Sequence, residues 1–318
     1  MNFKIQNKIR WLFVISILLS SLSSFSFLVS NHTCTSFQPP EDPREGWAVL
    51  MEMNCYPSGS NLETGYSDTR KWNSTLRTLG WQTHHIIIYQ GLIDQQVGLA
   101  AFDFLVANAD ANDVVLWFVF AHGNYLLQEI NWQTWFPNHW KNLQSQEKIF
   151  IASACSSELF IQSLYDDEAP HVHISSSEAN EYSWAGLPEE GLPIIGEVFN
   201  HYLTNALLNV SADRDIDGEV TMEEAFFFAA PLSRNYISTT VFPAFPEFAD
   251  MCNNTAPSPV IDDTYEGNFS LKIETGAPPI MAPWVLPIEV GMILSIVCVA
   301  IMILVVGAVV IQKRKILT

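Results

Sequence analysis

A histidine followed by glycine, His122-Gly123, and a cysteine 33 positions later, Cys155, have the types and setting for nucleophilic chemistry. An imidazole beside a thiol takes its proton and gives a thiolate near neutral pH. Gly123 has no side chain to obstruct a substrate, so its backbone N–H, with that of Cys155, can hold a developing oxyanion. A second stretch, Asp213-Arg214-Asp215-Ile216-Asp217-Gly218-Glu219-Val220-Thr221-Met222-Glu223-Glu224, has the spacing of a twelve-residue calcium loop. There Asp213, Asp215 and Asp217 converge around the turn at Gly218. The carbonyl of Glu219 and both oxygens of Glu224 complete an oxygen cage for a structural Ca2+. An acidic turn capping a helix over 222–230 is the alternative. His171 and His173 point to one face of a strand at a spacing that suits zinc, but with no third ligand recognisable they read as packing residues.

Two apolar runs deliver the histidine and the cysteine. Val114–Ala121 ends at His122, and Lys148–Ala154 ends at Cys155. Both are short, rich in β-branched and aromatic residues and preceded by polar turns, as strands buried on both faces of a parallel sheet are. Residues just past the carboxyl ends of such strands share one edge of the sheet, where open α/β folds place their sites. The remaining chain supplies matching elements. Trp47–Met53 reads as the first strand and Ser67 or Asp68 as the cap of a helix running to Leu79, stopped by Gly80. His84–Tyr89 reads as a second strand, which Ile86-Ile87-Ile88 marks as central. Leu92–Ala109 reads as a helix, 124–135 as a small hairpin or excursion, and Asn138–Gln144 as a short helix. A helix from Ser156 to Tyr165 would direct its positive end at Cys155 and lower the thiol's pKa. A fifth strand follows at His171–Ser175 and a helix at Gly196–Leu208. Beyond Pro231 the chain reads as irregular, with a last strand at Phe269–Ile273. The sum is an α/β fold, an α-β-α sandwich around a mostly parallel sheet of about six strands.

His-Gly after one apolar strand and Ala-Cys after the next resemble the caspase-like cysteine peptidases, a clan that includes caspases, metacaspases, legumain, gingipains and the GPI transamidase catalytic subunit. The resemblance covers roughly Gly46 to Leu271 and is nearest to legumain-like domains. Ser258–Gly267 is similar to the Pro-x-x-x-Asp-x-Tyr-x-Gly segment that ends them. The resemblance implies a cysteine endopeptidase acting on protein or peptide substrates through a thioester, with His122 and Cys155 as the catalytic dyad. It also implies that Ser176, Glu181, Ser183 and Trp184 line the pocket for the residue before the scissile bond. Acidic neighbours (Glu63, Asp68, Glu181) favour Arg, Lys or Asn there. Two other activities fit the same pattern. One is a transamidase or peptide ligase, in which an amine replaces water at the thioester. The other is a calcium-dependent surface binding module on a dead peptidase fold.

The chain's ends carry targeting signals. Residues 1–30 have a basic start and an apolar stretch, reading as a signal peptide or an uncleaved signal anchor. Residues 31–45 are a Pro-rich lead-in, 46–273 the peptidase-like domain and 274–288 a linker. Residues 289–312 are long and apolar enough to span a bilayer, and 313–318 form a basic cytoplasmic tail. That topology is single-pass type I, in the cell or a secretory membrane, with the domain outside the cytoplasm. Over residues 31–289 nine Lys and Arg oppose 34 Asp and Glu, a net of −25 (9 − 34). Such a surface repels nucleic acid and favours cations or basic peptides. Sequons stand at Asn31, Asn73, Asn209, Asn253 and Asn268. Cys298 falls in the span. Cys34, Cys55 and Cys252 allow at most one internal disulfide among themselves, and Cys55 lies close enough to Cys155 in the predicted fold for a redox latch.

Overall fold

The computed structural model describes residues 43–165 and 169–274. The signal segment, the linker beyond 274, the 289–312 span, the basic tail, Asn31, Cys34 and Cys298 lie outside these residues. Among the described residues no helix is long and apolar enough to cross a membrane.

Five parallel strands and one antiparallel strand form the central sheet. They are β1 (Gly46–Met53), β2 (Ile86–Gly91), β3 (Val114–Phe120), β4 (Glu147–Ser153), β5 (His171–Ser175) and β8 (Val260–Asp263), in the order β2-β1-β3-β4-β5-β8. The short strands β6 (Ala185–Gly186) and β7 (Gly196–Glu197) pair separately. Side chains alternate faces along a strand. Val115, Trp117 and Val119 of β3 therefore enter one core, and Val114, Leu116, Phe118 and Phe120 the other. The first core is closed by α2 (Gln95–Asn108), α3 (Trp132–Lys141) and α4 (Glu158–Gln162) through Phe102, Trp132, Phe136, Trp140 and Phe160. The second is closed by α1 (Ser67–Thr78), α5 (Val198–Ala206) and α6 (Met222–Tyr236) through Trp72, Phe199, Leu203, Met222 and Phe226. This is the expected α-β-α sandwich.

Several local expectations fail for identifiable reasons. The triple isoleucine does not make β2 central. It is an edge strand paired only with β1, half-buried, with Ile88 38% exposed. The stretch 124–135 is helical, a π turn over Tyr125–Glu129 followed by the start of α3. Pro231 does not end its helix. Helical turns continue past α6 through Ile237–Val241 to Pro246–Met251. The last strand is β8, not Phe269–Ile273, although Phe269 and Leu271 are buried and the Ile273 N–H meets the Leu79 carbonyl at 2.8 Å. Neither Ser67 nor Asp68 caps α1. Tyr66 occupies that position in a left-handed conformation, and both side chains turn inward. The fold also begins before residue 46. Arg44 reaches Glu147 and the carbonyls of Ser270 and Lys272, joining the two ends of the domain.

Candidate active site

Strand pairing brings the two candidate catalytic residues to one rim. Phe120 and Ser153 are register partners on β3 and β4, and the Ala121 N–H extends the ladder to the Ser153 carbonyl at 3.2 Å. His122-Gly123 and Cys155 thus leave the sheet side by side. The contact at Gly123 is close. A Cβ there would sit 1.8 Å from the Cys155 carbonyl oxygen, so only glycine fits. The His122 N–H donates to the Tyr56 hydroxyl at 2.7 Å, and that hydroxyl donates to the Met53 carbonyl at 2.9 Å. Tyr56, just beyond β1, therefore ties the histidine backbone to a third strand end. His122 Nε2 lies 3.0 Å from the Ser60 carbonyl, which can only accept a hydrogen bond. In the neutral ring Nε2 then carries the proton and Nδ1 the lone pair. Neither Tyr56 nor Ser60 was legible as a site residue. The one available signal was an aromatic residue immediately past a buried strand.

The thiol is half-buried, with Sγ 3.9 Å from the Ser183 carbonyl. Burial raises its pKa above the usual thiol value, and the Glu197 carboxylate raises it further. Hydrogen bonding from the backbone and side chain of Ser183 opposes this. The helix α4 starts only at Glu158 and has five residues, so Cys155 does not stand directly at a helix N-terminus as expected, and the thiol's pKa is raised overall.

Of the four expected pocket residues, only Ser183 borders the sulfur. Ser176 is buried, and its hydroxyl accepts from the Ala154 N–H at 3.2 Å. Glu181 is a staple: its carbonyl accepts from the Ser156 N–H at 2.7 Å and its carboxylate from the Ser258 N–H at 2.6 Å. The Trp184 ring packs 4.7 Å from Phe245 and 4.6 Å from Phe248, centroid to centroid. Asp68 lies beneath the surface with Glu197 and Glu52, all three buried. Its carboxylate accepts from Asn200 Nδ2 at 2.5 Å and the Glu197 N–H at 3.1 Å. Glu197 accepts from the Asn200 N–H at 2.6 Å, and Glu52 from the Thr69 N–H at 2.8 Å. Desolvation pushes Asp68 up to about 7, with Glu52 adding to the rise and Lys71 opposing it. Desolvation likewise pushes Glu197 up to about 8, with Asp68 adding to it. Gly196, at φ +89°, admits this packing, since a Cβ would lie 2.3 Å from Asp68 Oδ2.

Two other clusters concern metals. Carboxylate oxygens of Asp213, Asp215 and Glu224 lie within 4.8 Å of one another. Three such hard donors suit calcium. Asp217 does not join them; its carboxylate accepts from the Glu219 N–H at 2.8 Å, and the Glu219 side chain pairs with Lys272 at 2.9 Å. The histidine pair does acquire a third group, Asp262 of β8, which the sequence did not reveal. Asp262 Oδ2 is 3.2 Å from His171 Nε2 and 3.8 Å from His173 Nδ1. Trp140 Nε1, a donor only, bonds His173 Nε2 at 3.2 Å, so His173 keeps its proton on Nδ1, facing Asp262. Among the described residues no disulfide forms; Cys55, Cys155 and Cys252 are free thiols, so no Cys55–Cys155 latch is closed. The sequon residues Asn253 and Asn268 are exposed and Asn73 and Asn209 half-buried.

No protein-family model matches the chain, and no curated protein aligns with it.

Proposed function

We propose that the chain is a cysteine endopeptidase of the caspase-like kind, working through a His122/Cys155 dyad. The observation that carries this reading is the seating of Gly123 against the Cys155 carbonyl, which joins the His-Gly turn to the cysteine at one rim of a parallel sheet. In the mechanism His122 Nδ1 takes the Cys155 proton, and the thiolate attacks the scissile carbonyl carbon. The oxygen gains the electron pair and is held by the N–H groups of Gly123 and Cys155, each worth about 3 kcal/mol in such a role. The imidazolium returns its proton to the leaving amine as the C–N bond breaks. Water then cleaves the thioester, releasing the acid and restoring the thiol. Ser60 supports this by holding the ring through Nε2, and Tyr56 by holding the histidine backbone. The domain is proposed to face away from the cytoplasm, anchored by residues 289–312, with Ca2+ held at Asp213, Asp215 and Glu224 as a structural ion.

The test is labelling by a peptidyl electrophile. Labelling should be lost in Cys155→Ala and retained in Cys55→Ala, and a quenched peptide library should be cleaved by wild type alone of the pair wild type and Cys155→Ala. Labelling that survives Cys155→Ala would refute the dyad.

A further inference from the structure

A cavity of about 360 Å³ opens beside His122, on the side formed by the loops after β1 and β3. Tyr56, Ser58, Ser60, Tyr125 and Glu129 line it with His122 itself. It stands where the sheet order reverses, between β1 and β3, outside the carboxyl ends of both strands. That is the position at which open α/β sheets bind ligands. The mechanism above leaves it unused: Cys155 is flanked by Ser183, which does not line the cavity.

We propose that this cavity is the subsite for the residue carrying the leaving amine, the first residue after the scissile bond, and that it takes a basic side chain. The inference rests on the peptidase reading and goes beyond it to substrate choice. Position follows from the chemistry. The leaving nitrogen receives its proton from His122, so it must lie against that ring, and the residue attached to it continues into the space the ring borders. Water or another amine attacking the thioester must approach from the same side, by microscopic reversibility.

The kind of guest follows from the walls. Tyr56 and Tyr125 meet edge-to-face at 5.2 Å, and Tyr56 lies 4.6 Å from the His122 ring, which makes an aromatic wall. Aromatic faces attract ammonium and guanidinium groups. Glu129 supplies an exposed carboxylate at the mouth. Burial raises the Tyr125 pKa, and the negative fields of Glu129 and Asp94 raise it further, so two carboxylates bear on this wall. Among the described residues lining the cavity, none is basic apart from His122. A cation is the guest that such walls accommodate, and an acidic side chain is the one they reject.

Quenched peptides carrying a mixture of residues before the scissile bond, and Arg, Ala or Glu after it, test the inference. Wild type should cleave the Arg series about tenfold faster in kcat/KM than the Glu series. In Glu129→Lys that order should invert, a result that a merely structural role for Glu129 does not produce. Equal rates for Arg and Glu in wild type, or a preference that Glu129→Lys leaves intact, overturn the inference while the peptidase reading stands. If no peptide is cleaved, titration of Arg-Ala-Ala-amide into the Cys155→Ala protein by calorimetry decides separately. Binding that is lost in Cys155→Ala/Glu129→Lys supports the cation subsite without the peptidase. No binding refutes the subsite.

Discussion

Glu197 is held neutral by burial near Cys155, and replacing it with glutamine should change how stability responds to pH. Its carboxyl is raised from 4.5 to about 8, with 1% of the residue exposed. Between those two values the unfolded chain has released a proton that the folded chain retains, so raising the pH favours unfolding. The stabilisation is complete below the unfolded value and is lost as pH climbs through the folded one. From pH 6 to pH 8 the loss assignable to Glu197 alone is about 2 kcal/mol. Glu197→Gln preserves size and the acceptor for the Asn200 N–H but cannot ionise. Urea unfolding followed by tryptophan fluorescence at pH 6, 7 and 8 should show the variant losing about 2 kcal/mol less than wild type. Asp68, raised to about 7, keeps a slope of its own in both proteins. The thiol gives a second readout: Glu197 raises the Cys155 pKa, so above pH 8 the variant should alkylate faster. Parallel stability slopes for the two proteins would falsify the claim that Glu197 is protonated in the fold.

Gly123→Ala places a methyl 1.8 Å from the Cys155 carbonyl oxygen, a backbone atom with little room to yield. Displacement of the rim on that scale should cut labelling by a peptidyl electrophile about 100-fold, and an unchanged labelling rate would contradict the close approach. Calcium should raise the melting temperature, with a gain of about 2.7 kcal/mol at 100 times Kd. Asp213→Asn should remove that gain, and an unresponsive melting curve in wild type rules the ion out. Asp262→Asn takes the carboxylate from two buried histidines and should cost about 1–3 kcal/mol in urea unfolding. The neighbouring His173 and His171 rings hold the Asp262 pKa below the usual carboxylate range, so its contribution should vanish as pH falls through that depressed value.

The strands that carry the dyad were readable because a strand buried on both faces has a continuous apolar sequence with an abrupt end, and His122 and Cys155 stand at two such ends. Sheet order is not written that way. Ile86-Ile87-Ile88 is as apolar as a central strand, yet it lies half-buried at the edge, because which strands pair is decided by contacts distant in sequence. Pro231 is tolerated in α6, so the residue that usually stops a helix was misleading here. The contacts of the expected pocket residues were hidden for a different reason. Ser176 and Glu181 are polar and lie near the cysteine, but their roles are set by Ala154 and Ser258, contacts separated by 22 and 77 positions. No local pattern encodes such partners. Asp262 reaches His171 from 91 positions away for the same reason.

Those distant contacts explain how a thiol can be both buried and aimed. Ser156, directly after the nucleophile, has φ +55°, a conformation that costs a non-glycine residue on the order of 1–3 kcal/mol. It persists only if the surroundings over-determine it. The Glu181 carbonyl takes the Ser156 N–H, while Ser177 meets the Ser157 N–H and the Ala154 carbonyl on either side. Glu181 is in turn fixed by Ser258, two residues before β8, and β8 is fixed to β5 by the ladder and by Asp262 on His171 and His173. The antiparallel edge strand, remote in sequence from the dyad, thereby sets the direction of the Cys155 turn. A sulfur left free to rotate would lose the alignment with Gly123 that the oxyanion needs. The serines and Glu181 thus act by holding the Cys155 backbone, and in the proposed reading recognition of substrate falls to the open cavity on the histidine side.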